Sequence, residues 1–352
     1  MDFETEQFDL DAYHERERRR LERRAKREAE RRAALIRLTF RAVAVIMVIA
    51  AVIAVFSVAC KDKTPREDGG VKDTASNVEN APKTPPLPKD SASLVNIGGE
   101  IGSQYVVVIN RDTDEVVAAK AHKQKMYPAS TTKIMTALVA YENIEDMNAT
   151  FTMTTEIIDP LYRQNATLAG FLNGEAVTMR DLIYGTILPS GAEAAEGLAL
   201  ATAGSLDAFV ALMNEKVAEL GLTGTHFDNV TGLHSEQNYS TAYDIAVILK
   251  AALEIPFLKE VLSAYHYTTA ATPQNPNGIT LTGTLFSYMY GTEPEGAVVS
   301  GGKTGYVTES GYCIASFGYS DTGTEYICVT GKGESRWPAV YDQIDLYTNY
   351  VK

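Results

Sequence analysis

Ser130 and Lys133 stand three residues apart in "YPASTTKIMTALVAYE" (127–142). On a helix that spacing brings two side chains onto one face within hydrogen-bonding reach. A serine hydroxyl is a weak nucleophile and needs a base. A lysine at its ordinary pKa of about 10.4 is protonated and useless as that base. Burial and a positive helix end both disfavour the ammonium. The apolar run Ile134–Val139 supplies the first condition, and a helix beginning at Ser130 supplies the second. Ser130 reads as the N-cap, and Lys133 takes the place where a capping box has Glu or Gln. Ser-x-x-Lys alone is a common tetrapeptide, and taken by itself it reads as a capping serine beside a snorkelling lysine rather than as a catalytic pair.

Two further stretches carry side chains suited to chemistry. In "LPSGAEAAEG", Ser190 precedes an Ala-rich helix over 191–203. In "SGGKTGYVTESGY", Lys303, Thr304 and Gly305 lie on an apparent strand, and the missing side chain at 305 lets an extended ligand lie along it. A phosphate-binding loop would need Gly-x4-Gly-Lys-Thr. Ala297 stands five before Gly302, and strand rather than helix follows. No Gly-x-Ser-x-Gly elbow occurs.

The order Ser-x-x-Lys, a serine 60 residues on, and Lys-Thr-Gly about 110 further is that of penicillin-binding proteins and serine β-lactamases. With "LNGEAVTMRDLIYGTILPSGAEAAEGLA", "THFDNVTGLHSEQNYSTAYDIAVILK" and "GGKTGYVTESGYCIASFG", residues 96–352 resemble the serine-type D-alanyl-D-alanine carboxypeptidases of peptidase family S11. The resemblance implies a β-lactamase/penicillin-binding transpeptidase-like α+β fold. It also implies a peptidoglycan stem-peptide substrate, acylation by β-lactams and no cofactor or metal. By position it makes Ser130 the acylated nucleophile, Lys133 its general base and Ser190 a proton relay to the leaving amine. Lys303 and Thr304 would hold the substrate carboxylate. The N–H groups of Ser130 and Tyr306 would form the oxyanion hole.

The second motif departs from the family's Ser-Gly-Asn or Ser-Ala-Asn, reading Ser190-Gly191-Ala192. Glu193 or a water is the candidate stand-in for the missing amide. A lost hydrogen bond there costs about 1–3 kcal/mol. A weakly active or degenerate wall-binding homologue is therefore one alternative to a carboxypeptidase, and a D,D-endopeptidase is another. A β-lactamase would need a deacylating base such as a Glu-x-x-Leu-Asn phrase; none occurs between Ser190 and Lys303.

These motifs must be positioned by a folded region. "SQYVVVIN-RDTD-EVVAAK" reads as strand, turn and strand. A mainly helical middle runs from Ser130 to about Leu262. Three strands follow in "GGKTGYV", "SGYCIASFGY" and "TEYICVTGK", and an amphipathic helix starts near Pro338. Strands at both ends around a helical middle predict one antiparallel sheet built from the two ends, with helices packed on it. Cys313 and Cys328 fall diagonally on one hairpin and read as small buried hydrophobes rather than a disulfide.

The 352 residues carry a net charge of −13, unevenly spread. Residues 1–41 hold 12 Lys and Arg against 10 Asp and Glu; the remainder holds 20 against 35. So acidic a region repels phosphate, and no nucleic-acid partner is expected. Residues 1–41 read as a charged cytoplasmic helix. Residues 42–59, uncharged and almost wholly apolar, read as a single-pass transmembrane signal anchor, its Arg-rich flank placing the N-terminus in the cytoplasm. A cleaved signal peptide and a lipoprotein site at Cys60 are the rival readings. Residues 61–95, rich in Lys, Asp, Pro and Ser, read as a disordered linker. With a single short helix after the last strand, attachment to the cell membrane is expected to fall to residues 42–59, with the folded region outside.

Overall fold

The structure, a computed structural model, describes residues 87–352. The charged segment 1–41, the apolar run 42–59 and most of the expected linker lie outside the described residues. Strands β1 (Lys89–Asn96), β2 (Tyr105–Asn110) and β3 (Glu115–Lys120) come first. A 3-10 turn (Ala129–Thr131) leads into α1 (Thr132–Asn143). The middle contains β4 (Thr150–Thr152), α2 (Thr155–Arg163), β5 (Ala176–Thr178), α3 (Met179–Ile187), α4 (Ala192–Ala203) and α5 (Leu206–Glu219). It continues with α6 (Ala242–Leu253), α7 (Pro256–Ser263), β6 (His266–Thr268), β7 (Thr280–Thr282) and α8 (Thr284–Tyr288). The chain returns through β8 (Ala297–Val307), β9 (Gly311–Ser320), β10 (Glu325–Gly333) and α9 (Arg336–Tyr350).

The two ends meet in one six-stranded sheet, ordered β1-β3-β2-β10-β9-β8. The seam is antiparallel, with Cys328 opposite Val108 and Val329 opposite Val107. "YVVVIN" is apolar without alternation because both faces are covered. Val106 and Val108 pack with Leu346 and Tyr347 of α9 on one side. Val107 and Ile109 join the helical core on the other, with Ile134 and Leu138 of α1 and Ile245 of α6. Asp342 of α9 fastens the ends together, accepting from Gly102 N (2.9 Å), Ser103 N (2.7 Å) and Ser103 Oγ (2.6 Å). Burying a Leu or Ile side chain stabilises by about 1.5–3 kcal/mol. The helical core therefore holds α1, and with it the Ser130 turn, rigidly against the sheet.

Two expectations are corrected. The sheet is not wholly antiparallel, because β1 pairs with β3 in parallel. Nor does the linker run to 95: strand pairing begins at Lys89, opposite Glu115. "KDSASLVN" shows no apolar alternation because β1 is an edge strand, mostly exposed. Its ladder is backbone pairing, which polarity does not betray. Cys313 and Cys328 are free and buried, and burial pushes the Cys313 thiol up to about 11. Among the described residues no single helix is long and apolar enough to cross a membrane.

Candidate active site

Ser130 belongs to the 3-10 turn ahead of α1 and does not cap the helix; neither turn nor helix has a side-chain cap bond. Its hydroxyl is engaged by Lys133, whose Nζ donates to Ser130 Oγ at 3.0 Å and to the Thr231 carbonyl at 2.6 Å. Lys133 is 2% exposed. Burial brings its pKa down to about 7, against an opposing pull from the Glu193 and Glu196 carboxylates. Part of the amine population near neutral pH is therefore unprotonated and able to take a proton from the hydroxyl it already touches.

The turn is held in an unfavourable shape. Ala129, just before Ser130, has φ 46°. Left-handed backbone at a non-glycine residue costs on the order of 1 kcal/mol or more and persists only where its surroundings impose it. Here the 229–233 loop imposes it. Asn229 Oδ1 accepts from Thr231 N (3.1 Å), Thr231 Oγ1 (3.1 Å) and Gly232 N (2.7 Å). Gly232, at φ 78°, lies so close that a Cβ there would stand 1.9 Å from the Ala129 carbonyl oxygen. Thr136 Oγ1 ties α1 to the same loop through the Val230 carbonyl at 2.7 Å.

Strand β8 passes on the other side of the turn. A Cβ on Gly305 would fall 2.7 Å from Ser130 N and 3.1 Å from Thr131 N. The glycine is thus required for the strand to approach the Ser130 N–H, a sharper reason than room for a ligand. Thr304 Oγ1 shares a 2.7 Å hydrogen bond with Thr284 Oγ1 at the start of α8. Tyr306 is 53% exposed, its ring 4.4 Å from that of Tyr312. Lys303 is fully buried and donates to the Thr304 carbonyl at 2.8 Å. Burial first, and the nearby Lys133 charge second, push its pKa well down. An anion placed between the two lysines would relieve both effects.

Ser190 also departs from a simple cap. Its φ is 70°, it is 7% exposed, and α4 begins after Gly191. Its hydroxyl makes no hydrogen bond to the Ser130–Lys133 pair. Ala192 is buried, its N–H bonded to the Thr167 carbonyl at 2.8 Å. Glu193 does not replace the missing amide with its Oε1, which accepts from the N–H groups of Ala169 (2.7 Å) and Gly170 (2.8 Å). Sequence reasoning missed Thr231, Asn229 and Thr284. Asn229 had a signal, since "DNVTG" is rich in side chains that bond their own backbone; Thr284 had none.

A model of the D-alanyl-D-alanine carboxypeptidases, peptidase family S11, matches residues 90–330. The chain is 30% identical over 214 residues to the D-alanyl-D-alanine carboxypeptidase DacF of Bacillus subtilis, covering 61% of this chain and 53% of DacF. It thus spans about half the length of that relative. It is 30% identical over 250 residues to the D-alanyl-D-alanine carboxypeptidase of Streptomyces sp. strain K15, covering 66% of this chain and 79% of the relative. The crystal structure of the Streptomyces K15 DD-transpeptidase superposes with a TM-score of 0.64 at 29% identity, covering 70% of this chain and 97% of that one. Penicillin-binding protein 5 of Haemophilus influenzae shares the fold, with a TM-score of 0.63 and 71% of each chain covered. On the family match over residues 90–330, with Ser130, Lys133 and Gly305 brought together at one turn, the chain belongs to the D-alanyl-D-alanine carboxypeptidase family, peptidase family S11.

Proposed function

We propose that this chain is a serine D,D-carboxypeptidase that removes the terminal D-Ala from peptidoglycan pentapeptide stems through an acyl-enzyme at Ser130. The carrying observation is the 3.0 Å contact between Ser130 Oγ and a buried Lys133 Nζ, directly beside the side-chain-free edge at Gly305. Neutral Lys133 takes the hydroxyl proton as Oγ bonds to the carbonyl carbon of the penultimate D-Ala. The N–H groups of Ser130 and Tyr306 hold the resulting oxyanion. The carbon–nitrogen bond then breaks, and the proton reaches the leaving amine by way of Ser190. Water, deprotonated by the same lysine, releases the acyl group. Lys303 and Thr304 hold the terminal carboxylate, which supplies the counter-charge that the buried Lys303 lacks. A β-lactam carries a carboxylate and a strained amide in the same relation, so it acylates Ser130.

Residues 42–59 anchor the chain to the cell membrane, N-terminus inside, and residues 61–88 tether the folded region outside. The experiment is release of free D-Ala from a stem pentapeptide by the purified chain. Release that disappears in Ser130→Ala supports the proposal; binding without release makes the chain a wall-binding homologue. A second reading is transpeptidation, in which an amine rather than water receives the acyl group. The solved Streptomyces K15 protein, 97% of whose length is covered, bears that name. Adding an amino-acid acceptor and analysing muropeptide products separates release, transfer and cleavage of cross-links.

A further inference from the structure

Ser190 sits in a backbone shape that its residue type does not favour, at φ 70°. Its hydroxyl has no hydrogen-bond partner among the described residues, so its direction is set by the backbone. Two hydrogen bonds fix that backbone from the residues that follow. Gly191 N donates to the Gly185 carbonyl of α3 at 2.9 Å, and Ala192 N donates to the Thr167 carbonyl at 2.8 Å. Thr167 belongs to a segment, residues 166–172, that forms no helix or strand. The segment lies hard against the end of α3 and the turn after it. A Cβ on Gly191 would stand 2.7 Å from Ala169 Cβ, and a Cβ on Gly185 would stand 2.7 Å from the Phe171 ring. Thr167, Ala169 and Phe171, at alternate positions, form the wall against which the Ser190 turn is pressed.

One side chain holds that wall. Glu193 is fully buried in the first turn of α4, three residues after Ser190. Its Oε1 accepts from Ala169 N (2.7 Å), Gly170 N (2.8 Å) and Phe171 N (3.4 Å). Its other oxygen is buried without a hydrogen-bond partner. Every hydrogen bond from the carboxylate side chain therefore goes to this one segment. A stretch with no ladder of its own must find partners for its buried N–H groups elsewhere, and successive N–H groups converging on one oxygen make an anion cradle. Here the anion is supplied by the helix that the second motif begins.

We propose that Glu193 is a positioning residue for Ser190: by gathering the N–H groups of 169–171 it keeps the segment pressed on Gly191, and so fixes where the Ser190 hydroxyl stands. The proposal rests on the reading of Ser190 as the proton relay to the leaving amine. Without the carboxylate, the segment loses the acceptor for three N–H groups and moves off the motif. The Thr167 carbonyl moves with it, and the bond to Ala192 N that helps to hold Ser190 at φ 70° is lost.

The test is release of D-Ala from a stem pentapeptide by the full-length chain, in a double-mutant cycle of Ser190→Ala and Glu193→Ala. Circular dichroism at the assay temperature establishes that each variant is folded. With Ser190 intact, Glu193→Ala lowers kcat by about 10–100-fold, the effect of misplacing a reacting group by about an ångström. KM stays within about twofold, since the terminal carboxylate is held by Lys303 and Thr304. In the Ser190→Ala background the same substitution changes kcat by less than about twofold, because the group it positions is already gone. A role confined to stability moves the melting temperature and leaves kcat of the folded protein alone. Glu193→Gln keeps an acceptor oxygen in place and recovers part of kcat. If Glu193→Ala fails to fold, Glu193→Gln takes its place in the cycle, with a smaller loss and the same non-additivity. Equal losses in the two backgrounds, or no loss of kcat with Ser190 intact, overturn this proposal alone. A Ser190→Ala chain as fast as wild type overturns the relay reading and this proposal with it, and leaves the acyl-enzyme at Ser130 standing. Absence of release by wild type overturns the carboxypeptidase reading itself.

Discussion

Gly305→Ala is the most discriminating perturbation of the site. The added Cβ would lie 2.7 Å from Ser130 N, 3.1 Å from Ala129 Cβ and 3.1 Å from Thr131 N. Ordinary van der Waals contact begins near 3.4 Å, so strand and turn must separate by about 0.7 Å. No rotamer change relieves this, because the crowded atoms are backbone and Cβ. The turn cannot retreat either, since Gly232 backs the Ala129 carbonyl from the far side. Overpacking of this kind costs about 1–3 kcal/mol, lowering the melting temperature by about 3–10 °C for a domain of this size. The expected effect on chemistry is larger, because the displaced group is the N–H that the proposed mechanism assigns to the oxyanion. Loss of one such donor slows turnover by about 10²–10³-fold. Stopped-flow labelling with fluorescent penicillin measures the acylation rate, and circular dichroism the melting point. Gly99→Ala, where nothing lies within 4 Å, is the neutral control. An acylation rate within threefold of wild type in Gly305→Ala would refute the reasoning, because the Ser130 N–H would then not be needed where the strand places it.

Acylation by wild type should rise with pH through a midpoint near 7, set by the burial of Lys133, and a flat profile from pH 5 to 9 would contradict it. The same lysine links stability to pH. Folded, it releases its proton near 7, and unfolded at its ordinary 10.5, so between those values the unfolded chain binds more protons and stability rises with pH. Lys303 acts in the same direction. Urea unfolding of Lys133→Met should therefore show a smaller gain from pH 7 to pH 10 than wild type. Glu193→Ala strips the partner from three backbone N–H groups, those of Ala169, Gly170 and Phe171, and should cost about 2–4 kcal/mol, measured by urea unfolding. Thr284→Val removes the hydrogen bond to Thr304 and should raise KM for the pentapeptide several-fold, with a smaller effect on kcat.

How much of this the sequence discloses depends on where the information lies. The central strands were legible because β2 and β8–β10 are rich in Val, Ile, Tyr and Cys between turn residues. Helix α1 was legible because its face from Thr132 to Ala140 is buried without interruption. The Ser130–Lys133 pair was legible only in company, since three motifs in order are far more specific than one tetrapeptide. The shape of the turn was not: Ala129 at φ 46° violates the local preference of its residue type, and the force that imposes it comes from Gly232, 103 positions away. Strand β1 was missed because an exposed edge strand needs no apolar pattern. Thr284 was missed because one hydroxyl between two helices and a strand has no local signature.

Covalent mapping of Ser130 is the direct test of the site's assignment. The purified chain is incubated with a penicillin, digested, and each peptide weighed by mass spectrometry. The expected result is a single penicilloyl adduct on the peptide containing Ser130, absent in Ser130→Ala and strongly slowed in Lys133→Met. No adduct, or an adduct on Ser190 that survives Ser130→Ala, would contradict the assignment of Ser130 and Lys133 as nucleophile and base.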